Sequence, residues 1–102
     1  VEKSKVINFL KHDEVKNIKN AKIYKEHEIR FSDGTNTYHG FIDLLLEYDD
    51  HFDIIDYKLS NLESEEYKVQ LGGYKKYIEE NYQKKTNIYL YSINKDIFKK
   101  LD

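Results

Sequence analysis

The chain has 102 residues, with 19 acidic against 17 basic, a formal net charge of −2, ten tyrosines and five phenylalanines. That length buries one core and is too short for two, and its aromatic content argues against disorder. The lack of cysteine excludes disulfides, zinc–thiolate sites and iron–sulfur clusters, and a balance this near neutral excludes tight nucleic-acid binding by bulk charge alone.

No apolar run approaches the ~18 residues of a membrane span, and no signal-peptide pattern opens the chain. A soluble, cytoplasmic protein is therefore expected. The start at Val1 and the absence of methionine suggest a single domain cut from a longer polypeptide, with a functional element upstream.

Residues 3–19 carry an apolar stripe of Val6, Phe9, Leu10, Val15 and Ile18 and predict a helix. Asp13 and Glu14 can open a second short helical piece there, as N-cap and first-turn acid. Residues 22–31 alternate as a strand, and Asp33-Gly34 suits a two-residue hairpin turn. Two further strands follow over residues 38–47 and 52–58, joined by Asp49-Asp50. Ser64 is placed to cap a helix reaching Tyr82, with Glu65 and Glu66 in its positive first turn. Its apolar face is Tyr67, Leu71, Tyr74, Ile78 and Tyr82. Residues 87–93 form a fourth strand, and residues 96–101 a terminal helical turn or two. The fold class is α/β, a mixed four-stranded sheet between helices, with a crossover expected to be right-handed.

The chemistry concentrates in residues 39–58. Both Asp43 and Asp56 interrupt strongly apolar strands, Phe41-Ile42 with Leu44-Leu45-Leu46 and Ile54-Ile55. Along a strand Asp56 and Lys58 project from one face. A two-residue turn at Asp49-Asp50 sets Asp43 opposite Asp56, with Cβ atoms ~4.5–5.5 Å apart. Two carboxylates that close repel unless a cation lies between them. Mg²⁺ needs only one or two protein carboxylates beside water and phosphate, so Asp43 and Asp56, with the Tyr57 carbonyl, read as its ligands, Mn²⁺ being the alternative ion. Lys58 is placed to hold or deprotonate the attacking water and to offset charge on phosphate. The plainer alternative is a pair of strand-end acids and a surface ion pair worth little. If Asp33-Gly34 is the first turn, Tyr24 lies opposite Asp43 and Glu26 opposite Phe41, and Glu26 and Glu28 share the face of the aspartates.

Gly40-x-Ile42-Asp43, then Asp56-Tyr57-Lys58, then Gln70-Leu71-x-x-Tyr74 closely resembles the PD-(D/E)xK nucleases of the RecB family. It looks most like the nuclease domain at the C-terminal end of AddA-type helicase–nucleases. The resemblance spans nearly the whole chain, including Glu28 and Phe31 on the first strand. It implies a restriction-endonuclease-like αβββαβ core, with Asp43 and Asp56 as metal ligands, Lys58 as the catalytic lysine, and Gln70 and Tyr74 lining the site and meeting DNA. It also implies a DNA exonuclease or endonuclease fed by a helicase domain, with a second nuclease or helicase subunit as partner, in double-strand-break repair and recombination. Relatives carry a histidine on an earlier helix, and that role is not transferred to His12. Leu59 stands where relatives often have threonine.

Rival readings are a catalytically silent DNA-binding or scaffold module, and a stand-alone restriction-type endonuclease. Tyr74 as core packing and Gln70 as an edge amide are the plainer roles for that pair. His27, His39 and His51 share no ligand spacing. Asp49, Asp50 and Asp53 resemble the start of a calcium loop without its glycine and terminal glutamate. Lys75-Lys76 and Lys84-Lys85 read first as a solvated helix face. Gly72-Gly73 costs a helix ~1 kcal/mol per glycine against alanine, with close approach to the sheet the expected reason and phosphate contact the alternative.

Overall fold

Side chains of the central strands are apolar on both faces, so the sheet they form is covered on both sides. The structure is a computed structural model that describes residues 3–32 and 34–102. Its strands are β1 (Lys22–Ser32), β2 (Thr37–Glu47), β3 (His51–Lys58), β4 (Lys85–Ser92) and β5 (Ile97–Lys100), in the order β1-β2-β3-β4-β5. Neighbours are antiparallel except β3 and β4, which run parallel and are joined by the helix α2 (Glu65–Tyr82). A parallel neighbour needs such a crossover because the chain must return to the starting edge.

One layer of core lies between α2 and the sheet. Leu71, Tyr74 and Ile78 of the helix pack there on Ile42, Leu45, Phe52, Ile54, Ile88 and Leu90. The other layer lies under α1 (Lys3–Leu10) and two short 3-10 turns, Asp13–Val15 and Ile18–Asn20. Phe9 and Val15 cover Leu44, Leu46, Ile55 and Tyr91 from that side. Ser64 caps α2 as its sequence predicts, its Oγ accepting from the Glu66 N–H at 3.3 Å.

Three sequence expectations change. The sheet has five strands, not four: residues 97–100 form β5 and not a helical turn. Asp96, at φ +55°, reverses the chain, and Asp96 N–H bonds back to Ser92 O at 2.9 Å. Against β4 the four residues pair the backbone groups that face it, whereas one helical turn leaves most of its backbone groups unpaired. The helix expected over residues 3–19 ends at Leu10. Asp13 and Asn17 favour turns over helix interior because their side chains compete for backbone groups. Asp13 opens the first 3-10 turn, preceded by His12, with no side-chain cap.

The third change is register. The β2–β3 ladder keeps the expected register, Leu44 opposite Ile55 and Glu47 opposite Phe52, but stops there, so Asp43 and Asp56 are not the directly paired residues that were expected. In the β1–β2 ladder Tyr24 lies opposite Leu45, not Asp43, and Glu28 opposite Phe41, where Glu26 was expected. The strands pair to Ser32 and Thr37, so their connection is longer than a two-residue turn. Gly34 has φ +92°, which suits glycine, while Asp33 lies outside the described residues.

Candidate metal centre

The strand period breaks at the site. Ile42 packs toward α2, yet Leu44 and Leu46 pack toward α1 and Leu45 toward α2. Alternation therefore reverses across Asp43. Opposite it, Glu26 has φ +48°, and Tyr24 and Ile29, of unlike parity, both face α2. The ladder pairs Lys25 with Leu44 and His27 with Ile42, skipping Glu26 and Asp43. Such a local break re-aims a side chain and increases twist.

On the other side of Asp43, β2 and β3 part. Their pairing ends at Leu44 and Ile55, and the next β3 donor is taken by a side chain: Tyr57 N–H donates to Asp43 Oδ2 at 2.8 Å. Asp43 thus lies in the opening between the two strands, against the backbone of Asp56-Tyr57. The Tyr57 ring turns to the opposite face, edge-on to Phe9 with centroids 5.8 Å apart.

Asp56 is the electrostatic centre of the group. Its side chain is 13% exposed, and Oδ2 lies 2.8 Å from Lys58 Nζ. The Lys58 ammonium is the partner of this buried oxygen, which no other donor among the described residues reaches. Burial pushes the Asp56 carboxyl up to about 6; the Lys58 ammonium opposes that rise, and the neighbouring Asp43 carboxyl adds to it. Lys58 is held from its other side by the Tyr67 ring, 4.1 Å from Nζ to the centroid. The ring face attracts the ammonium and helps hold it beside the acids. Tyr67 was legible only as part of the apolar face of α2, because a stripe of tyrosines does not show which one meets a lysine.

Asp43, Asp56 and Lys58 are therefore brought together. Gln70 and Tyr74 form a second pair along α2, the Gln70 amide donating to the Tyr74 hydroxyl at 3.3 Å. Among the described residues neither hydrogen-bonds to the aspartates. Tyr74 is 3% exposed and packs in the core, so its plain role is real. It also explains Gly40: a Cβ there would overlap the Tyr74 hydroxyl. The close approach expected at Gly72-Gly73 occurs at Gly40 instead. A Cβ at Gly72 meets nothing within 4 Å, and one at Gly73 only the Phe31 ring at 3.9 Å.

The donor set is two carboxylates. No third acid joins them: Glu28 is committed to His39 at 2.6 Å, and among the described residues no group of three or more histidine, aspartate and glutamate side chains could hold a metal. Two crowded carboxylates beside a single ammonium leave negative charge uncompensated, which fits a hard cation that retains most of its water. His12 pairs with Asp96 at 2.7 Å. His51 lies between Asp50 at 2.6 Å and Asp53 at 3.6 Å, while buried Asp53 accepts from Asn87, so Asp49, Asp50 and Asp53 do not form a calcium loop. Of the two lysine pairs, Lys75 is bound to Asp102 and Lys84 to Glu47 and the Tyr48 carbonyl.

No protein-family model matches the chain, and no curated protein matches it. Among the described residues no helix is long and apolar enough to cross a membrane.

Proposed function

We propose that this chain is the nuclease domain of a DNA-processing enzyme, hydrolysing phosphodiesters with Mg²⁺ on a restriction-endonuclease-like core of the PD-(D/E)xK kind. One observation carries the reading. The acids of β2 and β3 meet where the strands separate, with buried Asp56 crowded by Asp43 and a single ammonium 2.8 Å from its Oδ2. A surface ion pair needs neither the separation of the strands nor the burial.

Asp43, Asp56 and the Tyr57 carbonyl would hold the ion, which supplies Lewis-acid polarisation of the phosphate and a lowered water pKa. The chain's own residues do the rest. The Tyr57 N–H fixes the Asp43 carboxylate in one orientation. Lys58, clamped between Asp56 and the Tyr67 ring, offsets negative charge as it builds on the phosphoryl oxygens and steers the attacking water. Gln70, exposed on α2, is available to the DNA backbone. The resemblance to RecB-family domains suggests a helicase partner in the parent chain, a role in recombination and repair, and a cytoplasmic setting.

The test is Mg²⁺- or Mn²⁺-dependent cleavage of single- and double-stranded DNA by the unsubstituted chain, by Asp56→Ala and by Lys58→Ala. Both variants should lose cleavage and keep a cooperative melt. Undiminished cleavage in either contradicts the assignment, and cleavage confined to one sequence favours a restriction-type enzyme.

A further inference from the structure

On the sheet face away from α2 the cover is incomplete. Phe9 of α1 meets Tyr57 of β3, Tyr91 of β4 and Phe98 of β5, so the short helix lies over β3 to β5. Ile42 packs toward α2, so its neighbour Phe41 projects from this opposite face, where it is 58% exposed.

Between α1 and β1 runs an apolar groove of about 350 Å³. Val6 and Leu10 of α1 form one wall and Ile23 of β1 the other, each nearly half exposed, while buried Leu44 and Tyr91 lie in the floor. Two charged residues line the groove, Lys5 and Lys25, and among the described residues no acid does. Lys5 Nζ donates to the neutral Asn94 Oδ1 at 3.4 Å, and the Lys25 ammonium has no partner among the described residues. Lysine stems extend an apolar wall and keep their charge at its rim. Apolar surface rimmed by one sign of charge marks a place for a partner of the other sign.

The width names the element. Two strands ~4.8 Å apart leave ~10 Å beside α1, the breadth of one α-helix with its side chains. A second copy of this chain has no suitable helix to offer. Its α1 carries lysine and no acid, and Leu71, Tyr74 and Ile78 of α2 are buried in their own core. A bilayer surface does not reach a floor recessed between a helix and a strand.

We propose that the groove between α1 and β1 seats an acidic amphipathic helix of a partner protein. Apolar residues at i, i+3 or i+4 and i+7 enter between Val6, Leu10 and Ile23, and carboxylates meet Lys5 and Lys25. The inference is independent of the nuclease reading, because Lys58 and its Tyr67 contact lie on the α2 side of the sheet.

The experiment pans a display library of random peptides of about sixteen residues, some four helical turns, against the unsubstituted chain, with Leu10→Glu as the counter-selection. Enriched peptides should carry apolar residues at helical spacing and net negative charge, and gain helicity on binding by circular dichroism. Their affinity should fall about tenfold or more in Leu10→Glu. Lys5→Glu with Lys25→Glu should lose the acidic peptide and gain the same peptide with its acids changed to lysine. Thermal melts verify that both variants fold, and if Leu10→Glu does not, the lysine variant replaces it as counter-selection. No enrichment over the counter-selection overturns the proposal, as do enriched peptides that are basic or bind without helix. A dimer in analytical ultracentrifugation that the counter-selecting variant abolishes overturns it in favour of a second copy. Co-flotation with equimolar phosphatidylcholine and phosphatidylglycerol vesicles, abolished by the same variant, overturns it in favour of a membrane surface.

Discussion

Asp56→Asn should make the metal-free protein more stable while ending metal binding. A carboxyl that titrates at about 6 instead of its ordinary 3.8 is disfavoured as an anion in the folded state, by about 3 kcal/mol at 1.36 kcal/mol per pH unit. The side chain keeps 13% of its exposure, so solvent relieves part of this, and about 2 kcal/mol is the working figure. Because the folded pKa is raised, the folded state binds the proton more tightly than the unfolded chain does. Stability from this group is complete below pH 4 and is lost as the pH rises through about 6. Asparagine keeps the shape and cannot ionise. The variant should therefore melt roughly 8–16 °C above the unsubstituted chain at pH 7, at 4–8 °C per kcal/mol for a domain this size. The gap should close toward pH 4. Thermal melts followed by circular dichroism between pH 4 and 8, in EDTA, measure it. Mg²⁺ should raise the melting temperature of the unsubstituted chain only. A variant that melts at or below the unsubstituted chain at pH 7 refutes the strained-carboxylate argument.

Other consequences follow from the same geometry. Apparent Mg²⁺ affinity should fall about tenfold per pH unit below pH 6, as the proton on Asp56 competes with the ion, and calorimetric titrations in two buffers should detect proton release on binding. Lys58→Met removes the group that opposes the rise of Asp56, so that onset should move to higher pH while cleavage disappears. Gly40→Ala collides with the Tyr74 hydroxyl and should cost about 1–3 kcal/mol in urea denaturation. Adding Tyr74→Phe should recover part of that cost, and additive losses would show that the two residues do not meet. Ser64→Ala should cost about 1 kcal/mol by loss of the α2 cap, read as a lower urea midpoint at unchanged slope.

Much of this protein was decided by local sequence. Apolar residues at helical spacing fixed the buried face of α2, and Ser64 its start. Runs of apolar residues located β2 and β3, whose short connection at Asp49-Asp50 set the pairing that brings Asp43 toward Asp56. These are interactions between residues near in sequence, where spacing constrains geometry directly. What the tertiary structure alone decided lies at longer range. Alternation along the strands would have carried Glu26 and Glu28 to the aspartates' face, yet Glu28 binds His39, because the period reverses at Glu26 and Asp43. Residues 97–100 became β5 only because β4 offered an open edge. The overlap that reserves Gly40 for glycine comes from a tyrosine thirty-four positions away. The proton affinity of Asp56 belongs to no residue alone, being set by the burial that folding imposes and by two charged neighbours. Side-chain identity supplies the acids and the lysine; only packing makes one acid buried and crowded.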